Sequence, residues 1–228
     1  MPFRKWEELP RYLQTEAVRP YYEKLHRRMP ELMLKRLFDV VMSAVLLVLL
    51  IPVFAVLAWK IHEDSAGPVF FRQVRVTQYG RTFRIFKFRT MVTDAEKLGT
   101  QVTVGGDSRV TEIGRILRKY RLDELPQLIN IFLGDMSFVG TRPEVPRYVK
   151  AYSPEMYATL LMPAGVTSAA SIRYKDEERL LDGAADPDQV YLTQVLPEKM
   201  EINLNSLKHF HCITDIATMA ETVFAVLK

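Results

Sequence analysis

Residues 40–59 read VVMSAVLLVLLIPVFAVLAW, and no charge interrupts them. A straight helix of about 20 residues reaches about 30 Å, the thickness of the hydrocarbon core of a bilayer. A helix this apolar on all sides needs either lipid or a protein core that surrounds it completely. Two details argue against a simple span. Pro52 sits inside the run, where a missing N–H and a ring clash kink a helix. Both flanks are basic, with Lys35 and Arg36 before the run and Lys60, Arg72, Arg75 and Arg81 among the cations after it. The positive-inside bias therefore places both ends on the same side, the cytoplasmic one. A helix that enters, breaks at Ile51–Pro52 and leaves by the same face satisfies both observations. Trp59 and the stem of Lys60 suit the headgroup boundary.

Outward from this run the chain changes character. Residues 1–34 mix charges with aromatics and leucines and are divided by Pro10, Pro20 and Pro30. They predict short surface helices, or an arm lying on a membrane surface. Residues 68–91 alternate apolar and basic positions around a turn at Tyr79–Gly80, which predicts a β-hairpin with an apolar face. The other face carries Arg84, Lys87 or Arg89, depending on where the strand bends. Residues 92–104 predict a helix and then a loop. Residues 109–132, 144–161 and 188–226 carry helical spacing, and LKHFHCITDIATMAETVFAVLK (207–228) is apolar around much of its surface. It suits either the core or a membrane interface.

Composition sets the outer bounds. The chain has 228 residues, 48% of them apolar, which is too many for a disordered chain. A net charge of +4 and a pI near 9.1 fit an anionic partner, and charge alone does not choose among nucleic acid, lipid headgroups and a nucleotide. Cys212 is the single cysteine, so no intramolecular disulfide forms. The first twenty residues lack the apolar core and cleavage site of a secretory signal. His209, His211 and Cys212 cluster without a fourth zinc ligand at a suitable spacing, and Gly105–Gly106 makes no phosphate-binding fingerprint.

The chemistry concentrates in RKYRLDELPQL (118–128). Leu125, Leu128, Ile129 and Phe132 share one helix face, and Pro126 belongs in a first turn, so a helix is expected to start near Asp123. Asp123 as a cap and Glu124 as an acid at the positive helix end would account for the pair by themselves. The surroundings add a second meaning. A carboxylate at a helix N-terminus stays ionised, as a nucleophile or metal ligand must. Arg118, Lys119 and Arg121 supply positive charge beside it. Further on, GDMSFVGTRP (134–143) offers Gly134 as a helix stop and Gly140–Pro143 as a tight connection. An arginine held there, Arg142, can present its planar fork to phosphate oxygens, or can simply be a surface arginine.

Taken in order, KRLFD (35–39), FRQVR (71–75), FKFRTM (86–91), LDELPQL (122–128) and GDMSFVGTRPE (134–144) resemble the bacterial sugar transferases, the monotopic phosphoglycosyl transferases. The resemblance covers roughly residues 34–225. It implies an α+β fold, mainly helical: an N-terminal amphipathic extension (1–34), a re-entrant membrane helix (35–62), and a small cytoplasmic catalytic domain (63–228) with a β-hairpin and amphipathic interfacial helices. It implies transfer of a sugar 1-phosphate from a UDP-sugar to a membrane polyprenyl phosphate, releasing UMP, with Mg2+ as cofactor. The resemblance implies Asp123 as nucleophile and metal ligand and Glu124 as its partner. It assigns Arg118, Arg142, Lys87 and Arg89 to the substrate phosphates and Ile51–Pro52 to the membrane break. The expected setting is the cytoplasmic face of a bacterial inner membrane, in contact with lipid. No nucleic acid is implied, and the oligomeric state, a homodimer included, stays open.

Three positions depart from the family pattern. Thr141 stands where proline is usual, Ile51 where serine precedes the break, and Pro163-Ala164-Gly165-Val166-Thr167 carries one extra residue. The competing assignment from another class is a membrane adaptor without activity, whose basic hairpin binds anionic lipid. It leaves an acidic pair between arginine-bearing turns unexplained.

Overall fold

In the computed structural model, which describes residues 3–93, 95, 107–175, 177–180, 184 and 186–227, the apolar run forms two helices rather than one. α2 (Met29–Leu49) and α3 (Ile51–Asp64) meet at Leu50 with a bend of 62°. Leu50 sits at φ −90°, ψ 2°, outside the helical range. Pro52 occupies the first turn of α3, where its missing N–H costs that helix nothing but breaks the hydrogen-bond ladder of α2. No single helix among the described residues is both long and apolar enough to cross a membrane, and only the bent pair together meets that measure.

The two faces of the pair differ. One carries Leu37, Val41, Val45, Val48, Ile51 and Val56, all exposed. The other packs Leu46, Leu47, Leu50 and Phe54 onto a core of Phe83, Ile85, Leu128, Ile131, Met136 and Ala164. A buried polar ridge runs along α2 at helical spacing. Lys35 Nζ meets Asp215 Oδ2 at 2.6 Å, Asp39 Oδ1 accepts from the Phe138 amide at 3.2 Å, and Ser43 Oγ donates to the Val40 carbonyl.

The hairpin forms as expected. β1 (Phe70–Val76) pairs antiparallel with β2 (Thr82–Phe88), Phe71 opposite Lys87. Its turn holds both Tyr79 (φ 58°) and Gly80 (φ 73°) in the left-handed region. Tyrosine is an uncommon occupant there, and the N-terminal segment holds it in place. Tyr12 Oη donates to the Tyr79 carbonyl, the Arg4 amide donates to Tyr79 Oη, and the Arg4 guanidinium lies over the Tyr79 ring.

Residues 3–28 are therefore not a surface arm. Leu13, Val18 and Leu25 are fully buried. Together with α1 (Arg19–His26) they share one core with Tyr148, Leu161 and Met200. The prolines that divide the segment start helices: Pro20 and Pro30 sit in the first turns of α1 and α2.

After the hairpin come α4 (Glu112–Lys119), α5 (Gln127–Leu133), β3 (Met136–Val139) and α6 (Pro146–Val149). β4 (Ala164–Thr167), α7 (Ala169–Arg173), α8 (Glu177–Leu180), α9 (Pro187–Val190), α10 (Leu196–Lys208) and α11 (Cys212–Leu227) complete the described elements. The fold is mainly helical with a small β-hairpin, as expected. The parallel pair β3–β4, Ser137 opposite Gly165, was not anticipated. Each strand is four residues long, too short to leave a period-two signature. The backbones of Gly140 and Gly165 cross so closely that a Cβ on Gly165 would fall 2.1 Å from the Gly140 nitrogen. Residues 188–226 are mainly helical, as expected, with an interruption at His209–His211 between α10 and α11. Most of 92–104 lies outside the described residues.

Candidate active site

The acidic pair is held by a break, not by a helix start. α4 ends at Tyr120, and Arg121 then takes a left-handed conformation (φ 56°). That reverses the chain into a single 3-10 turn, Leu122–Glu124. α5 begins only at Gln127, with Pro126 preceding it, four residues later than expected. Asp123 makes no capping hydrogen bond to either element, so helix capping does not account for it.

Both carboxylates are buried, and their surroundings differ. Glu124 is surrounded by cations. Arg142 grips it with two nitrogens, NH2 to Oε1 at 2.6 Å and NH1 to Oε2 at 3.2 Å. Lys87 Nζ donates to Oε1 at 3.0 Å, and Arg121 NH1 lies 3.8 Å away. Burial works against the Glu124 anion, but Arg142 and Lys87 outweigh it and hold the carboxyl well below the usual range. Among the described residues Asp123 has Lys87 in ion-pair range, at 3.8 Å from Oδ2, and the charges of Arg118 and Arg121 act on it from farther away. Its Oδ1 is buried with no hydrogen-bond partner among the described residues. Burial pushes its pKa up, Lys87 opposes, and the Glu124 charge adds to the rise. A buried carboxylate oxygen without a donor is costly and calls for a ligand.

The cations arrive from three directions. Lys87 comes from β2, where it continues the inward face of Phe83 and Ile85, while Arg84 lies on the opposite, exposed face. Arg142 leaves the end of β3 in a loop clamped on both sides, with Gly140 N on the Thr167 carbonyl and Gly165 N on the Thr141 carbonyl, each at 2.9 Å. The guanidinium has more donors than its two bonds to Glu124 consume, so it can grip a second anion. Arg118, from α4, lines the same cleft with Nε on Thr90 Oγ1 at 3.1 Å, and its charge is felt by Asp123.

Arg89 is not brought into this group. Its guanidinium donates to the carbonyls of Ala66, Ser65 and Ile61, at 2.5, 2.6 and 3.3 Å, and so closes the C-terminal end of α3. Period two continued past Lys87 would turn Arg89 toward the dyad, but β2 ends at Phe88, and Arg89 reaches the cleft wall with its terminal nitrogens spent on α3.

The dyad sits in a cleft of about 1850 Å³. One side is apolar, built by Leu46, Leu50, Phe88, Leu128 and Phe138 next to the helix bend; another is polar, with Tyr174, Glu177, Tyr191 and Lys199. Among the described residues no three His, Cys, Asp or Glu gather into a ready-made metal cage. The family model for bacterial sugar transferases matches residues 30–228.

The chain belongs to the bacterial sugar transferase family.

Curated relatives agree. The chain is 34% identical over 198 residues to a UDP-N-acetylgalactosamine-undecaprenyl-phosphate N-acetylgalactosaminephosphotransferase of Aeromonas hydrophila, covering 85% of this chain and 44% of that one. It is 33% identical over 197 residues to the UDP-glucose:undecaprenyl-phosphate glucose-1-phosphate transferase of Escherichia coli, covering 84% and 40%. A protein of the same name from Caulobacter vibrioides is 42% identical over 142 residues, 61% of this chain and 53% of that one. The chain thus spans about half the length of these relatives.

Within the family's KRLFD string each polar residue has a structural task here. Lys35 joins α2 to α11, Arg36 donates to the Ile131 and Phe132 carbonyls at the end of α5, and Asp39 holds β3 by the Phe138 amide. Sequence alone gave no role to two further contributors to the cleft, Tyr191 and Lys199. Their helical spacing reads as ordinary packing, and only a buried lysine betrays them.

Proposed function

We propose that this chain moves a sugar 1-phosphate from a UDP-sugar to a membrane polyprenyl phosphate, giving a polyprenyl diphosphate sugar and UMP. The observation that carries the proposal is the asymmetry of the dyad. Glu124 is saturated by cations and acts as the keystone that fixes Arg142 and Lys87. Asp123, buried beside them with Oδ1 unpartnered, is left for chemistry. Its carboxylate oxygen attacks the sugar-linked phosphorus of the donor. The bond from that phosphorus to the bridging oxygen breaks, UMP leaves with the electron pair, and an aspartyl phosphosugar forms. An oxygen of the polyprenyl phosphate then attacks the same phosphorus, and the Asp123 carboxylate is released unchanged. Arg142, Lys87 and Arg118 stabilise the charge on the phosphoryl oxygens.

Mg2+ fits the unpartnered oxygen, since this ion binds through one or two carboxylates together with substrate phosphates. When bound it would neutralise the diphosphate and assist the leaving group, with Asp123 as its protein ligand.

The setting proposed is the cytoplasmic face of a bacterial membrane, as the first membrane step of glycan assembly. The bent pair supports it, with its exposed apolar face and basic flanks. So do Ile213, Ile216, Val223 and Phe224 on α11, exposed by 57–78%. A lipid acceptor and a soluble donor would then meet in one cleft, at its apolar and polar sides. A lipid-binding adaptor without activity needs no cation cradle around a buried acid pair.

The test is to incubate the purified chain in membranes with a donor labelled in its sugar-linked phosphate, omit the acceptor and quench in acid. Label on the protein, lost in Asp123→Asn and discharged by polyprenyl phosphate, is expected. UMP release by a well-folded Asp123→Asn variant would refute the covalent role.

A further inference from the structure

The polar side of the cleft is organised as a continuation of the dyad. Arg142, which grips Glu124, also lies within electrostatic reach of Glu177 at the start of α8. Glu177 Oε2 accepts from Lys199 Nζ of α10 at 2.6 Å. Lys199 is only 4% exposed, and its ammonium also donates to Tyr191 Oη at 3.2 Å. Tyr191 Oη in turn donates to Glu144 Oε1 at 2.5 Å, and Glu144 follows Arg142 by two positions. Tyr191 opens a π-helical turn, Tyr191–Val195, between α9 and α10. Such wide turns interrupt helices most often at functional sites.

Burying a lysine and a carboxylate is expensive where an apolar wall would pack as well. Glu177 is not spent by the arrangement. Its side chain is 26% exposed and lines the cleft, and Oε1 makes no hydrogen bond among the described residues. Lys199 pins one of its oxygens. A carboxylate held by one oxygen with the other open accepts hydroxyl hydrogen bonds, strongly because it is charged.

We propose that Glu177, held by Lys199 and Tyr191, is the acceptor for ring hydroxyls of the donor and thereby selects it. This rests on the transferase proposal. The chemistry required is a polyhydroxylated ring two or three bonds from a phosphate gripped by Arg142. The sugar and the ribose of a nucleotide sugar both meet it.

Binding separates these sources and separates this inference from the one beneath it. The full chain in detergent is titrated calorimetrically with UDP-glucose, UDP-galactose and their N-acetyl forms, with UMP, and with UMP lacking the ribose 2′ and 3′ hydroxyls. Glu177→Gln should weaken the best UDP-sugar by about tenfold, as expected for loss of a charged acceptor. Unchanged UMP binding in that variant assigns the contact to the sugar. Weakened UMP with unchanged dideoxy-UMP assigns it to the ribose. The double variant Glu177→Gln/Lys199→Met, which leaves no unpaired buried charge, should show the same loss. If the double variant regains wild-type affinity, or if wild type and variants bind every probe alike, the inference is overturned. A folded wild type that binds none of the probes would overturn the transferase proposal as well.

Discussion

Replacing the two carboxylates of the dyad by their amides should move stability in opposite directions. Glu124 meets Arg142 at 2.6 and 3.2 Å and Lys87 at 3.0 Å. Glu124→Gln leaves these largely buried cations uncompensated, a change that costs about 3–5 kcal/mol in buried pairs. Glutamine keeps an acceptor oxygen, so about 3 kcal/mol is expected. At about 2–4 °C per kcal/mol for a chain of this size, the melting temperature should fall by roughly 6–12 °C. Asp123→Asn removes a charge with one cation at 3.8 Å and a buried oxygen with no partner. It should melt at or above wild type while abolishing turnover, the pattern of a residue kept for chemistry.

The pH dependence has opposite signs at the two positions. Burial raises the Asp123 pKa in the folded chain above the unfolded value of about 3.9. Between those values the native state binds the extra proton, so stability falls as pH rises through the folded pKa. The advantage of Asp123→Asn should therefore be largest at neutral pH and shrink as pH falls toward about 4. Glu124 is held below its unfolded value of about 4.3. Its stabilisation is present above that value and lost as pH falls through the folded pKa, so the deficit of Glu124→Gln should close only in acid. Thermal unfolding followed by circular dichroism in one detergent, at neutral pH, near pH 5 and below about pH 4, measures both, with UMP release run in parallel. A Glu124→Gln variant melting within about 2 °C of wild type would refute the keystone role. An Asp123→Asn variant destabilised as much as Glu124→Gln would refute the asymmetry.

Other positions give further tests. Arg142→Ala should weaken donor handling by about 1.5–3 kcal/mol in kcat/KM, and Arg142→Lys should recover only part of it because a point charge cannot reproduce the fork; unchanged kinetics in both would remove Arg142 from the site. Arg89→Met should lower the melting temperature through loss of three carbonyl bonds while donor affinity stays at the wild-type value; a selective loss of donor affinity would restore Arg89 to the phosphate site. In a Cys212→Ser background, single cysteines at Lys5 and Ser108 should both resist an impermeant thiol reagent in intact cells. Labelling at Lys5 alone would reveal a spanning helix, and Pro52→Ala should shift the chain toward that state.

Much of this protein is local chemistry and was legible in its sequence. The uninterrupted apolar run with a proline inside it dictates a broken helix, because a ring without an N–H cannot continue a ladder. Alternation around Tyr79–Gly80 dictates the hairpin, and Gly134 (φ 88°) stops α5 as its lack of a Cβ allows. The acidic pair and the arginine-bearing loop could be picked out for the same reason: charge and spacing are written in the chain. What partners each charge was not. The left-handed turn at Arg121 has no glycine to announce it, so the dyad seemed to begin a helix when it occupies a turn of its own. Residues 1–34 read as short helices or an arm at a surface; the burial of Leu13, Val18 and Leu25 depends on Tyr148, Leu161 and Met200, more than a hundred residues away. Tertiary structure also decided that Arg89 closes α3 while Arg142 reaches Glu124, and that Lys199 supports a carboxylate on the cleft wall. Arginine and lysine carry the same charge wherever they stand in a sequence. Which anion or carbonyl each one meets is set by backbone crossings such as Gly140 against Gly165, and those exist only once the chain has folded.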